Sequence, residues 1–253
     1  MWRRKWKWLL GTAVFLVCCV ATGAWIFRPD PDALFKLMND NCLSSEAGRE
    51  PRQPCVVIDR GHGFAVLKDR KGSDHFLLLP TQRMRGIEDG ALLGAAAINY
   101  FEYAWEARGL LSNGKAQHIP DASIALAVNS EGGRTQNQLH IHLSCLKPDI
   151  QQRLREVGPL VGRDWHLLPE SLEGHVYYAR RVDAEAFGRD GAFRMLATGI
   201  EGAADNMGEF GLAATSFGDG SMLLLATRRD LSTLNFASPE ELQDTDCSVQ
   251  PPA

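Results

Sequence analysis

Gln138-Leu139-His140-Ile141-His142-Leu143-Ser144-Cys145 alternates polar and apolar residues without a break. Side chains in a β-strand face opposite ways at alternate positions. The stretch therefore predicts a strand over 139–146, with Leu139, Ile141, Leu143 and Cys145 turned to a core. Gln138, His140, His142 and Ser144 share the other, polar face, where the two imidazoles stand side by side. Just upstream, Asn129-Ser130-Glu131-Gly132-Gly133-Arg134-Thr135-Gln136-Asn137 is a Gly-rich polar loop. Loop amides plus a guanidinium make a phosphate cradle. Asn129, Arg134, Thr135, Gln138 and Ser144 are the candidate phosphate contacts, and His140 and His142 the candidate catalytic pair.

Outward from that segment, apolar runs at 64–67 and 76–79 flank a charged turn, Lys68 to Ser73, and predict a β-hairpin. Residues 124–128 and 175–182 read as strands. A second hairpin, 211–216 with 222–227, turns at Gly218-Asp219-Gly220. Helices are predicted at 30–41, 92–111, 149–157 and 192–207, and a short last one is opened by Ser238-Pro239-Glu240-Glu241. Tyr100, Phe101, Tyr103 and Trp105 in the second of these are read as core. The two hairpins share a likeness, Leu77 to Arg83 against Leu223 to Arg229, which suggests either a duplication or convergent hairpin chemistry. Hairpins mixed irregularly with helices give an α+β fold on an antiparallel sheet. The 253 residues are 45% apolar and 23% charged, which excludes disordered, collagen-like and coiled-coil classes.

Three readings of the histidine pair stand open on the residues alone. A neutral imidazole is a nucleophile. A second one two residues on can orient it, and Arg134 can hold a phosphate for in-line attack. These are the parts of nucleotidyl transfer through a phospho-histidine. His-x-His on a strand is also a common pair of metal ligands. A third ligand is not evident, since no Asp or Glu lies near on that face and His62, His75, His118, His166 and His175 are scattered. The remaining reading is structural packing. His175 with Arg180 and Arg181, together with Lys68 and Lys147, could meet phosphate or simply face solvent.

The N-terminus assigns a compartment. Residues 8–27 carry no charge and follow Arg3, Arg4, Lys5 and Lys7. As a helix this run would span about 30 Å, one bilayer core. It reads as an uncleaved anchor in preference to a cleaved signal, over a domain division of 1–28 (basic end and transmembrane helix) and 29–253 (extracytoplasmic body). Of 27 Lys and Arg, five precede Pro29, and none of the 31 Asp and Glu do. The body thus holds 22 basic and 31 acidic residues, a net of −9. That balance argues against a nucleic-acid partner. Four cysteines lie in the body, an even number that suits disulfides outside the cytoplasm. The simplest pairing is Cys42 with Cys55 and Cys145 with Cys247, against four free thiols. No CxxC is present. The oligomeric state is not legible.

The segment from Asn129 to Cys145 resembles the histidine-triad superfamily, whose signature is a Gly-rich loop followed by His-φ-His-φ-His-φ-φ on a strand. On that pattern Gln138 takes the first histidine position, His140 the nucleophile's and His142 the third. Arg134 stands where a Gln is usual, and Thr135 and Asn129 match the flanking polar positions. The whole chain resembles one branch, the bacterial CDP-diacylglycerol diphosphatases. That likeness rests on the anchor, on Leu-Lys-Asp followed by Leu-Leu-Pro-Thr, and on Asn-Ser-x-x-Gly-Arg-Thr-Gln-Asn before the His pair. Gly174-His175, Ala179 to Val182, Leu-Leu-Ala-Thr-x-Arg and Leu234-Asn235 extend it to the C-terminal part. The resemblance implies a HIT-like fold in the bacterial inner membrane, with the body on the periplasmic side. It implies hydrolysis of CDP-diacylglycerol to CMP and phosphatidate through a CMP–histidine, in phospholipid metabolism, with neither metal nor cofactor. The rivals are a cytidylyl transferase, a metal-dependent phosphohydrolase and a non-catalytic envelope-binding protein.

Overall fold

Strand-forming apolar runs in this chain pair as neighbouring hairpins, and the hairpins merge edge to edge into one antiparallel sheet. A computed structural model describes residues 30–44, 53–115 and 118–248. The expected anchor at 8–27 lies outside the described residues. Among the described residues no helix is long and apolar enough to cross a membrane. The strands are β1 (Cys55–Asp59), β2 (Phe64–Lys68), β3 (Phe76–Pro80), β4 (Ile124–Val128), β5 (Ile141–Leu146), β6 (His166–Leu167), β7 (Tyr178–Asp183), β8 (Phe210–Ser216), β9 (Ser221–Arg228) and β10 (Gln243–Asp244). The sheet runs β1-β2-β3-β5-β4-β8-β9-β7-β6, with β10 beside β5. Its pairings are antiparallel throughout, as the α+β reading expects.

The helices are α1 (Ala33–Leu37), continued by a π-turn at Met38–Leu43, α2 (Tyr100–Glu106), α3 (Pro148–Val157), α4 (Ala184–Asp190) and α5 (Ala192–Gly199). The long helix expected over 92–111 is broken. Asn99 caps α2 by accepting from Glu102 N at 3.3 Å, while its amide donates to the carbonyls of Phe187 and Gly188 at 2.8 and 2.9 Å. Ties to a remote segment override local helix propensity there. The helix expected over 192–207 stops at Gly199, and Gly202 turns the chain with φ 72°. The last expected helix is a single 3₁₀ turn, Pro239–Leu242. Strand β5 begins at Ile141, so Gln138 and His140 precede it.

One face of the sheet buries the larger core, where Leu78, Leu126, Ile141, Leu143, Leu212 and Leu224 meet α2, α4 and α5. The other face has two smaller clusters. Ala65, Leu67, Leu77 and Leu79 pack under Met38 and the Cys42–Cys55 bridge. Ala127, Ala179, Ala213, Leu223 and Leu225 pack under α3 and Leu242. The histidines lie in the seam between these two clusters.

The connectivity repeats, but the repeat does not relate the two similar hairpins. The segments β2-β3-α2-β4-β5 and β6-β7-α4-α5-β8-β9 have the same connection order and meet across the antiparallel β4–β8 pair. The counterpart of β9 is therefore β5, and the counterpart of β3 is β7. A single row across the sheet reads Leu77, His142, Ala127, Ala213, Leu225, Ala179. Leu225 stands where His142 does in the other half.

Both expected disulfides are present. Cys145–Cys247 closes a separation of 102 residues and fastens the C-terminal strap, residues 236–247, to β5. Cys247→Ser is expected to cost about 2–4 kcal/mol in urea unfolding under oxidising conditions, and to lower activity because the strap borders the histidines.

Candidate active site

The 129–138 loop is bound on every side by backbone contacts. Ser130 N donates to Ala237 O at 2.9 Å, and Ser130 Oγ to Phe236 O at 2.6 Å. Asn137 N donates to Pro31 O and Leu139 N to Met84 O, both at 2.6 Å. Gln138 is fully buried. Its amide donates to the carbonyls of Pro80 and Gln82 at 3.0 Å each, and its side-chain oxygen accepts from Met84 N at 3.3 Å. Gln138, expected from the sequence to face a substrate phosphate, thus has its side chain engaged by backbone and ties the loop to the end of β3. Its backbone carbonyl does something else: His140 Nδ1 lies 2.6 Å from it. A carbonyl only accepts, so Nδ1 carries the hydrogen and Nε2 keeps the lone pair.

His142 is the centre of a polar row. Its Nδ1 is 2.9 Å from His75 Nε2, and the two rings stack with an interplanar angle of 16°. Its Nε2 is 2.9 Å from Glu240 Oε2, close enough for an ion pair but outside hydrogen-bond alignment. Nε2 therefore retains a direction in which to meet another acceptor. Asn129 donates to Glu240 Oε2 at 2.6 Å, and Asp69 stands 3.8 Å from His75 Nδ1. His140 packs edge-on to His142, centroids 4.9 Å apart.

Burial, and secondarily the neighbouring His142, push His140 down to about 4 from the ordinary 6.5. The same two causes bring His75 down to about 4. Burial pushes the Glu240 carboxyl up, but His142 and Asn129 outweigh it and hold the group down at about 2. Near neutral pH, His140 and His75 are therefore uncharged and Glu240 is an anion. The arrangement can present an unprotonated Nε2 to an electrophile, with a second ring and a carboxylate beside it to balance developing charge.

The other expected phosphate contacts are differently placed. Ser144 is fully buried beneath the strap, its hydroxyl donating towards the carbonyls of Asp74 (2.7 Å) and Asp244 (2.9 Å). The polar face of the alternating stretch is a covered face. Arg134 has a side chain only 3% exposed and is engaged by both Glu88 carboxylate oxygens. Thr135 is exposed on the loop, and Asn129 is buried against Glu240. His175 is held by Glu241, Arg181 by Asp219 and Lys147 by Glu173.

Sequence reasoning missed His75 and Glu240. The first was legible in principle: β3 pairs with β5 so that Leu77 faces His142, which puts His75, two residues earlier, on the same face. No periodicity links Glu240 to His142; the strap brings it there. Gly211 permits this, since a Cβ on it would run into the Ala237 carbonyl and the Pro239 ring.

Residues 29–251 match the family model described as CDP-diacylglycerol pyrophosphatase. Over 248 residues, 98% of this chain and 96% of its relative, the chain is 41% identical to a CDP-diacylglycerol pyrophosphatase of Yersinia pestis.

Two outcomes are expected of this geometry. Glu240→Gln removes one charge-assisted contact of about 1.5–3 kcal/mol, so kcat is expected to fall about 10- to 100-fold in steady-state assays. The depressed His140 and His75 values favour the folded state fully above 6.5 and progressively less as pH falls towards about 4. Urea unfolding at pH 7 and pH 5 is expected to find the protein less stable at pH 5, and the acid limb of kcat/KM is expected well below 6.5.

Proposed function

The chain belongs to the CDP-diacylglycerol pyrophosphatase family and hydrolyses CDP-diacylglycerol, and from this we propose that the reaction runs through a covalent CMP–histidine on His140. His140 Nε2 attacks the phosphorus on the cytidine side. The P–O bond to the second phosphate breaks, and phosphatidate leaves with the electron pair. Water then attacks the phosphorus of CMP–His140, releasing CMP and restoring neutral imidazole. The observation that carries this reading is the 2.6 Å contact from His140 Nδ1 to the Gln138 carbonyl, which leaves Nε2 as the basic nitrogen. His142, whose Nε2 is unaligned with Glu240, donates to a phosphate oxygen in the transition state. Glu240 and His75 hold that ring. Arg134 acts through its Glu88 pair, shaping the loop that Thr135 tops. Phosphatidate is a good leaving group, so the scheme needs no strong general acid and routes no step through a metal.

The antiparallel sheet, with His140 just before its central β5 and His142 within that strand, supports a histidine-triad-like fold in which Gln138 replaces the first histidine. The basic end and uncharged 8–27 run support a single-pass anchor in a bacterial inner membrane. Two disulfides in the body support a periplasmic catalytic domain. An anchor suits a substrate held in the bilayer.

CMP release from CDP-diacylglycerol micelles in the presence of EDTA tests the chemistry. Wild type is expected to retain full activity and His140→Ala to lose at least about 100-fold, the scale of a lost catalytic side chain. Acid-quenched wild type is expected to carry cytidine-labelled phosphate on His140. Activity abolished by EDTA, or an active His140→Ala, would overturn the mechanism.

A further inference from the structure

Residues 230–236 form a loop that presents three large apolar side chains to solvent. Leu231 is 60% exposed, Leu234 71% and Phe236 48%. Of the polar residues between them, Asn235 is buried, while Ser232 and Thr233 are exposed with their hydroxyls bonded to Asp230. Asp230 and Asn235 close the loop with reciprocal backbone hydrogen bonds of 2.9 Å. The Asp230 carboxylate accepts from Ser232 N at 2.9 Å and from its hydroxyl at 2.7 Å. Asn235 is 3% exposed, donating to Thr227 Oγ1 at 2.8 Å and accepting from Ala237 N at 2.7 Å. Leu234 is held at φ 58°, a left-handed conformation that a leucine rarely adopts. A cluster of exposed large apolar side chains marks an interaction surface. This one is a preformed apolar projection with Arg228 and Arg229 exposed at its base.

Its position adds a second, independent observation. One flank of the catalytic loop, at Ser130, is hydrogen-bonded to the carbonyls of Phe236 and Ala237 at the end of this projection. The other flank is stitched to residues 30–34. Gln136 Nε2 donates to Asp30 O at 3.0 Å, Leu34 N donates to Gln136 Oε1 at 2.8 Å, and Asn137 N donates to Pro31 O at 2.6 Å. Asp30 comes three residues after the uncharged run ends at Phe27, a tether of no more than about 10 Å. The first described residues after the uncharged 8–27 run and the exposed apolar loop therefore border the same catalytic loop.

We propose that residues 230–236 are a bilayer-contact element, with Leu231, Leu234 and Phe236 entering the lipid surface around the substrate's acyl chains and Arg228 and Arg229 meeting anionic headgroups. The proposal rests on the lipid-substrate reading above. It explains how a pyrophosphate fixed at headgroup depth reaches His140: the element docks the catalytic loop against the bilayer, so the lipid need not be extracted from it.

The test uses the full chain reconstituted into vesicles of phosphatidylcholine and phosphatidylglycerol. An environment-sensitive fluorophore is placed at Leu234→Cys, or at Glu185→Cys as control, with Cys18 and Cys19 replaced by Ala. Glu185 has an 88% exposed side chain and lies on α4, across the sheet from the histidines. Spin-labelled lipid is expected to quench the probe at 234 and not at 185. Absence of quenching at 234, or equal quenching at both, would overturn the proposal, as would crosslinking between copies through 234 in place of lipid quenching. In parallel, Leu231→Ser/Leu234→Asn is expected to lower kcat/KM on vesicle-borne CDP-diacylglycerol about tenfold or more. Hydrolysis of a short-chain, water-soluble CDP-diacylglycerol should stay unchanged. Equal loss on both substrates would mean that the loop merely braces Ser130 and Glu240, and would sink the idea. Lack of CMP release by wild type from either substrate would instead remove the hydrolase reading, while quenching at 234 would still report bilayer contact.

Discussion

The approach of Glu240 to His142 joins the end of the chain to the middle of the sheet, and the catalytic geometry depends on it. A buried imidazole beside an anion is tolerated where each group has a partner of its own. Here Asn129 holds the carboxylate and His75 holds the far side of the ring, while Glu240 sits at the rim with its side chain 45% exposed. Gly211 provides clearance beneath the strap, and the Cys145–Cys247 bridge fastens its end. Packing, covalent linkage and charge thus converge on one contact.

The doubled ββαββ arrangement shows how a symmetric scaffold carries an asymmetric function. Both halves supply an equivalent central strand. In one half its inward position holds His142, in the other Leu225. The leucine half is sealed by α3 and Leu242 and serves as core. The histidine half remains a seam because neither small cluster on that face extends across it. Polar chemistry sits where the apolar covering is interrupted.

Much of this was legible in the sequence, for identifiable reasons. The alternation over 138–145 has one good physical solution, and the hairpins, both disulfide pairs and the antiparallel α+β class followed from local patterns. What failed depended on remote contacts. Ser144 and Gln138 looked like exposed polar groups because nothing in the sequence announced the strap and the β3 end that satisfy them. The 92–111 segment looked like one helix because the partners of Asn99, the carbonyls of Phe187 and Gly188, are far along the chain. The matching Leu77–Arg83 and Leu223–Arg229 motifs proved to occupy inequivalent strands, since apolar hairpin sequences recur wherever a buried strand turns.

Gln138 divides the labour of the site in a way a histidine there would not. An amide neither gains nor loses a proton over the range in which proteins fold. The group that ties the loop beside His140 is thus indifferent to acidity, and the response to acid is left to buried rings such as His140 and His75. Orientation and proton inventory belong to separate side chains. A fall in pH can therefore change the charge on the buried rings while the backbone contact that orients His140 stays in place.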